Sequence, residues 1–168
     1  MSTRCLIGRQ YKDKTIRYIY CHCDGYIDGV GTVLKKFYSD EETIDKLLDL
    51  GDLSALGTSP EECPDNLEEL FHETFEYWLK WQKDPTDENK AAYDAVTTLY
   101  ELKNRKFCHL LRPNELPILK LAANKKDYID QQADAEFRYL YSTKGNWTVQ
   151  KWGDNSFRTY KIKYKIED

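Results

Sequence analysis

The chain has 168 residues, of which 40% are apolar and 32% charged, and its mean hydropathy is −0.76. These values predict one soluble globular domain over residues 1–168, long enough to bury a core. The net charge of −4 argues against general nucleic-acid binding, which needs a clustered basic surface.

Membrane insertion and export are also not expected. No apolar stretch approaches the roughly 20 residues that cross a bilayer. Residues 1–4 lack the apolar core of a signal peptide. The odd number of cysteines, 5, favours reduced thiols and a cytoplasmic location. The 13 tyrosines and 4 tryptophans raise the expectation of a binding surface.

The N-terminal part predicts a β-hairpin followed by a helix. Residues 4–9 and 15–23 have the β-branched and aromatic content of strands. If Cys21 faces the core, His22 lies beside Tyr20 on the opposite face. Asp24-Gly25 ends the second strand, and residues 29–38 have helical apolar spacing.

A second helix is predicted next. Ser39 or Asp40 is its expected N-cap, and Gly51 ends it. Residues 51–57 are predicted to be a compact loop whose two leucines pack onto the core.

Residues 65–106 predict an antiparallel pair of helices inserted between the N-terminal unit (residues 1–57) and a C-terminal sheet. Pro64 stops the preceding segment, and Asp65 or Asn66 can cap the first helix. We expect most of the aromatic side chains here to pack inside the hairpin rather than stack on bases. They are Tyr77, Trp78, Trp81, Tyr93 and Tyr100.

The C-terminal part predicts a β-meander. Residues 107–121 are expected to be irregular with at most one short helix, and residues 125–135 are helix or loop. Three strands follow, over residues 136–143, 146–151 and 156–166.

These elements predict an α+β fold. Its mixed or antiparallel sheet is made from the N-terminal hairpin and the C-terminal meander (136–166), with helices on one face and the αα-hairpin as an insertion.

Several motifs resemble those of a known family. They are Met1-Ser2-Thr3-Arg4, Ile7-Gly8, Tyr20-Cys21-His22-Cys23-Asp24-Gly25-Tyr26, Gly29-Val30-Gly31, Leu50-Gly51-Asp52-Leu53-Ser54-Ala55-Leu56-Gly57, Tyr139-Leu140-Tyr141 and Gly145-Asn146-Trp147-Thr148-Val149. The chain resembles small, mostly uncharacterised proteins of bacteriophages, prophages and mobile elements. The resemblance covers residues 1–57 and 136–150, whereas the helical segment 65–110 departs from the family pattern.

The resemblance implies a mobile-element origin and a location in the host cytoplasm. Counter-defence is a common role of such accessory proteins, so the resemblance suggests it by association. It supplies no established chemistry.

Cys21-His22-Cys23 raises the possibility of a zinc site, because thiolates and imidazoles bind zinc well. The remaining ligands would have to come from Cys5, Cys63, His72, Cys108 and His109, and none of these forms a standard zinc knuckle. A packed strand with small buried thiols is the favoured interpretation. We therefore predict neither a metal nor a cofactor.

His22 and Asp24 could form an acid–base pair, with the carboxylate orienting the imidazole. No hydrolase or P-loop motif accompanies them, and no base is evident for a nucleophilic Cys21 or Cys23. No catalytic residue is predicted, although a nucleotide hydrolase or phosphodiesterase using His22 and Asp24 remains an alternative.

An anion site is predicted at the strand-to-helix corner. Backbone amides near Gly29 would hold a phosphate at the helix start, and Tyr26 would stack on a planar group. Arg4, Arg9 or Arg17 on the adjoining strands could clamp the anion. Close strand-to-helix packing explains the glycines equally well. The predicted ligand-binding residues are Arg4, His22, Asp24, Tyr26, Gly29, Gly31 and Thr32.

The sequence thus favours a non-catalytic protein that counteracts host defence by sequestering an anionic, nucleotide-type ligand. An alternative is an inhibitor that binds a host defence protein through the aromatic helical hairpin. The expected partners are an anionic small molecule or such a protein, and a homo-oligomer is possible.

Overall fold

A computed structural model describes residues 2–64 and 66–162. Its strands are β1 (Cys5–Gln10), β2 (Ile16–Cys21), β3 (Leu53–Ala55), β4 (His109–Leu110), β5 (Lys120–Ala122), β6 (Phe137–Tyr141), β7 (Trp147–Lys151) and β8 (Arg158–Thr159). Its helices are a π-helical turn (Ile27–Gly31), α1 (Thr32–Phe37), α2 (Glu41–Asp49), α3 (Asn66–Lys83), α4 (Asp87–Lys106) and α5 (Lys125–Asp130).

The strands form one mixed sheet in the order β4-β3-β2-β1-β6-β7-β8, with β5 paired to β2. Central strand β1 is antiparallel to β2 and parallel to β6, so that Cys5 lies opposite both Cys21 and Phe137. β6, β7 and β8 form an antiparallel meander. The predicted α+β fold, built from the N-terminal hairpin and the C-terminal meander, is confirmed.

Three short strands were not predicted, namely β3, β4 and β5. Leu53 pairs with Cys21 on one side and with Leu110 on the other, so residues 51–57 extend the sheet instead of forming only a loop. In residues 107–121, predicted to be irregular, the chain forms β4 and enters β5. A strand of two or three residues is too short to show the alternation of apolar and polar residues that predicts a strand. Whether such a segment pairs depends on the neighbouring strands.

The sheet is covered on both faces, and the prediction that helices lie on one face is wrong for α5. Cys5 and Ile7 of β1 belong to the core under α1 and α2, whereas Leu6 belongs to a second core with Tyr128 of α5. Because both faces of the central strands are apolar, each face needs a cover.

α2 begins and ends close to the predicted residues. The Asp40 side chain accepts a hydrogen bond from the Thr43 amide at 2.8 Å, as expected of an N-cap. Gly51 follows the helix with φ +83°, a conformation that glycine adopts without strain.

The predicted helical hairpin is present, and α3 packs chiefly against α4. Thr86 caps α4 by accepting a hydrogen bond from the Asn89 amide at 3.1 Å, whereas the predicted cap Asp65 lies outside the described residues. Residues 57–63 and 105–108 form the root of the hairpin. There the Cys63 amide donates to the Cys108 carbonyl at 2.9 Å.

The last predicted strand is shorter than expected, and the helices can be checked for a membrane span. β8 occupies only Arg158–Thr159 of the predicted strand 156–166, and residues 163–166 lie outside the described residues. None of the helices in the described ranges combines the length and apolar character needed to cross a membrane.

Candidate functional site

His22 and Asp24 are two residues apart at the strand-to-helix corner, but their side chains do not pair. His22 Nδ1 lies 2.8 Å from the Tyr20 hydroxyl, and the His22 amide donates to the Leu53 carbonyl at 3.0 Å. The contact with Tyr20 confirms the predicted strand facing. Asp24 is exposed in a left-handed conformation (φ +59°). Within the described ranges no hydrogen bond joins His22 to Asp24, so an oriented acid–base pair is not formed.

The backbone amides at the helix start are bonded inside the chain. The Gly29 and Gly31 amides donate to the Tyr26 carbonyl at 3.0 and 3.4 Å, and the Thr32 amide donates to Gly29 and Ile27. Carbonyls in and just before the π-helical turn thus accept the amide hydrogens that the prediction had assigned to a ligand. In this structure the amides of Gly29, Gly31 and Thr32 are therefore engaged inside the chain and are not open to a phosphate.

Gly31 and Thr32 serve packing. Both residues are buried, and the Tyr160 hydroxyl donates to the Gly31 carbonyl at 2.8 Å. A Cβ atom at Gly31 would press on the rings of Tyr139 and Tyr160, and one at Gly29 would clash with the Asp24 carbonyl. The glycines allow the corner to pack tightly, which is the alternative that the sequence left open.

Arg4 is directed to another partner. Its Nη1 atom lies 2.7 Å from Asp134 Oδ2, and the two side chains are 42% and 46% exposed. This ion pair ties the start of β1 to the segment before β6. The Arg4 guanidinium therefore pairs with a carboxylate of another segment, although the Arg4 backbone lies beside Gly25 of the corner.

Tyr26 is the one predicted site residue that lines a cavity described at this corner. The cavity has a volume of about 560 Å³, and 44% of the Tyr26 surface is exposed. Its lining residues are Tyr26, Ile27, Asp28, Phe137, Lys151, Tyr160 and Lys161. Aromatic rings and two lysines in one lining suit a planar anion, although the Asp28 carboxylate opposes it.

A second candidate surface lies on the helical hairpin. Phe71, Phe75, Trp78 and Leu79, which we call the α3 aromatic face, are between 36% and 57% exposed. The rings of Phe75 and Trp78 stack with centroids 6.0 Å apart. Contiguous exposed apolar side chains of this size typically mark an interaction site.

The sequence prediction assigned the hairpin aromatics to internal packing, and that is correct for only part of the set. Trp81 and Tyr93 stack across the hairpin with centroids 5.7 Å apart, whereas Tyr77 and Trp78 are each 39% exposed. The apolar positions of α3 follow a wide arc of the helix, and a single partner helix covers only one side of it. The width of that apolar arc in the sequence could have predicted that part of α3 stays exposed.

A cavity of about 450 Å³, which we call the root cavity, lies where α3 leaves the hairpin root. Its lining residues are Glu62, Cys63, Pro64, Leu67, Glu68, Phe71, Tyr100, His109, Leu110 and Pro113. His109 Nε2 is buried and has no hydrogen-bond partner within the described residues. Because Phe71 lines this cavity and also belongs to the α3 aromatic face, the two form one continuous surface.

The buried thiols of Cys5 and Cys108 do not provide chemistry at either surface. Burial, followed by the neighbouring Cys21, raises the pKa of Cys5 well above its ordinary value, and burial also raises the pKa of Cys108. A buried thiol with a raised pKa is a poor nucleophile. No group of three or more metal-binding side chains occurs in the described ranges.

The protein thus has an α+β fold and two surfaces that could bind a ligand. One is the corner cavity, and the other is the α3 aromatic face with its root cavity. No family model matches the chain, and neither a curated protein nor a solved structure matches it.

Proposed function

We propose that this chain is a non-catalytic binding protein that holds another protein on its α3 aromatic face. One observation carries the proposal: α3 packs chiefly on α4, and it exposes four neighbouring large apolar side chains. Burying a half-exposed aromatic ring is worth on the order of 1–2 kcal/mol. Phe71, Phe75 and Trp78 together therefore form the energetic centre of the proposed interface.

The resemblance to phage and mobile-element proteins suggests the biological setting. We propose a host defence protein as the partner, which the chain would inhibit by covering its surface. The hairpin lies in the segment that departs from the family pattern, as a target-specific element would.

The test compares capture by matched variants. The immobilised chain is exposed to bacterial extracts, and the affinity of each captured protein is then measured with purified components. Phe75→Ser or Trp78→Ser should weaken binding by about 30-fold, the effect of losing an interface hot spot. Trp152→Ser is the control, because Trp152 is an exposed tryptophan far along the chain from α3. Unchanged affinity in Phe75→Ser and Trp78→Ser would rule out this surface.

A second candidate function, sequestration of a planar anionic ligand, has support of its own. Tyr26 shares the corner cavity with Lys151 and Lys161. Incubation with linear and cyclic nucleotides, followed by heat denaturation, distinguishes the classes: a sequestering protein returns intact ligand and a hydrolase returns product. Tyr26→Ala should abolish retention, whereas His22→Ala should abolish turnover only if the protein is an enzyme. Recovery of no nucleotide at all would exclude both.

A further inference from the structure

We infer that the root cavity receives an arginine or lysine side chain of the bound partner and so selects which proteins the hairpin holds. This inference rests on the proposed function, since the cavity continues the α3 aromatic face through Phe71. Two independent features of the cavity lead to it, the charges on its rim and the chemistry of its walls.

The rim of the cavity is acidic and carries no cation. Glu62 and Glu68 line it, and none of the lining residues is a lysine or an arginine. The Glu68 side chain is 84% exposed, and its ion pair is a long one, 3.9 Å from His72 Nε2. Within the described residues Glu62 forms no ion pair. Both carboxylates are therefore available to a cation that arrives with the partner.

The walls of the cavity suit the rest of a long basic side chain. Leu67, Leu110 and Pro113 offer apolar surface to the methylene stem, which arginine and lysine bury while the charged head stays polar. Phe71 and Tyr100, whose ring centroids are 5.4 Å apart, provide aromatic faces to the cation.

His109 adds a polar atom that has no partner. His109 lines the cavity, and its Nε2 atom is buried without a hydrogen-bond partner in the described ranges. A buried polar atom normally has a partner, and a guanidinium group brings several N–H donors. Because Nε2 is closed to solvent, the His109 ring must turn toward the cavity before a donor reaches it, and arginine and lysine both bring such donors.

The acidic residues of α3 around the cavity favour a partner segment that is basic along its length. The first turns of α3 carry Glu68, Glu69, Glu73 and Glu76, and the basic residues Lys80 and Lys83 appear only at its end. A partner segment that presents apolar side chains to Phe75 and basic ones to the root cavity would match both features.

The test uses two amphipathic helical peptides with a leucine face that differ at one central position, arginine in one and citrulline in the other. Citrulline keeps the shape of arginine but lacks its charge. Fluorescence anisotropy should show the arginine peptide binding about 10-fold more tightly, the effect of one charge-assisted hydrogen bond. Glu62→Gln with Glu68→Gln should remove this difference. Glu73→Gln is the matched control on α3 and should retain it.

The failures of the two proposals are distinguishable. If both peptides bind equally and Phe75→Ser weakens both, the inference is wrong and the proposed function stands. If the difference between the peptides persists after both glutamates are replaced, the cation binds elsewhere and the inference is also wrong. If neither peptide binds up to about 1 mM, or a dimer of this chain excludes both, the root cavity does not take such a side chain.

Discussion

Asp52 joins three segments through one carboxylate. It accepts hydrogen bonds from the Tyr20 amide at 3.0 Å, from Lys120 Nζ at 2.8 Å and from Arg112 Nη1 at 3.1 Å. Burial alone would raise the pKa of Asp52, but the bonds from Lys120 and the Tyr20 amide outweigh it, so its pKa is lowered. This residue therefore ties β5 and the segment before it to the main sheet.

The lowered pKa gives Asp52 a defined effect on acid stability. Because the carboxyl is more acidic in the folded chain than in the unfolded one, its stabilisation is complete above the ordinary pKa of about 4 and is lost as the pH falls through the folded-state pKa. Asp52→Asn should cost about 2 kcal/mol at neutral pH and flatten the acid dependence of unfolding measured by urea titration.

Asp94→Asn is the control for Asp52, since Asp94 forms a long, exposed ion pair with Lys90 at 3.8 Å. We expect a change of under about 1 kcal/mol there. Equal losses in the two variants would contradict the role of Asp52.

Arg138 shows why sequence reasoning missed contacts at this scale. Its side chain is almost fully buried, and its guanidinium donates to the carbonyls of Gln131, Gln132 and Ala135 and to Gln150 Oε1. An arginine in a predicted strand is ordinarily assigned to the solvent face. Three of the four acceptors are carbonyls of a loop whose position only the folded chain defines, so no local pattern could predict them.

At the scale of elements, the hairpin root depends on one close approach. A Cβ atom at Gly57 would clash with the backbone of Lys106 and Phe107. Gly57 is also held by both of its backbone groups. Its carbonyl accepts from the Tyr38 hydroxyl at 2.8 Å, and its amide donates to Cys108 Sγ at 3.2 Å.

Gly57→Ala should therefore loosen the root and lower the free energy of unfolding by about 1–3 kcal/mol, the usual cost of overpacking a tight site. Amide hydrogen exchange should show faster exchange at Thr58 and Ser59, which bond to Arg105 and Lys106. Gly153→Ala is the control for backbone strain without steric clash: its φ of +92° strains an alanine, but an added Cβ there meets nothing within 4 Å, so exchange at Thr58 should not change. Unchanged exchange at Thr58 would contradict the packing argument.

α2 and α3 are both amphipathic helices, but α3 leaves much of its apolar side exposed. Leu47 is fully buried, whereas Phe75 is largely exposed. Leu47→Ala should cost about 2–5 kcal/mol and Phe75→Ser less than about 1 kcal/mol, as measured by thermal or urea unfolding. A large loss in Phe75→Ser would mean that its ring stabilises the hairpin and is not held ready for a partner.

The elements were predictable in proportion to their length. α2, α3, α4 and the longer strands have enough residues to display their periodicity, so their predicted bounds were close. The corner amides were predicted less well. Whether Gly29 donates to a ligand or to the Tyr26 carbonyl depends on the π-helical turn, and a sequence pattern does not distinguish that turn from an ordinary helix start.

At the scale of the whole molecule, the sheet with its covering helices and the helical hairpin are nearly independent. The hairpin helices contact chiefly each other, and they join the remainder through the root. The α+β class followed from the order of predicted elements. The parallel pairing of β1 with β6 did not, because it joins segments distant in the chain.

Replacing residues 66–104 by a short Gly-Ser linker should leave the sheet folded, since the Cys63 amide and the Cys108 carbonyl already hold the two ends together. We expect the melting temperature of the shortened chain to stay within about 5 °C of the full-length value, and the binding of any partner of the α3 aromatic face to disappear. Loss of cooperative unfolding in the shortened chain would show that the hairpin supports the sheet.

The position of β1 has a consequence for how the protein is made. β1 ends at Gln10, whereas its parallel neighbour β6 begins only at Phe137. While the ribosome is still translating the middle of the message, one hydrogen-bonding edge of β1 has no strand to meet, and such edges promote association between nascent chains. Premature termination before Phe137 would leave that edge permanently open, so truncated products should aggregate or be degraded while the finished chain folds.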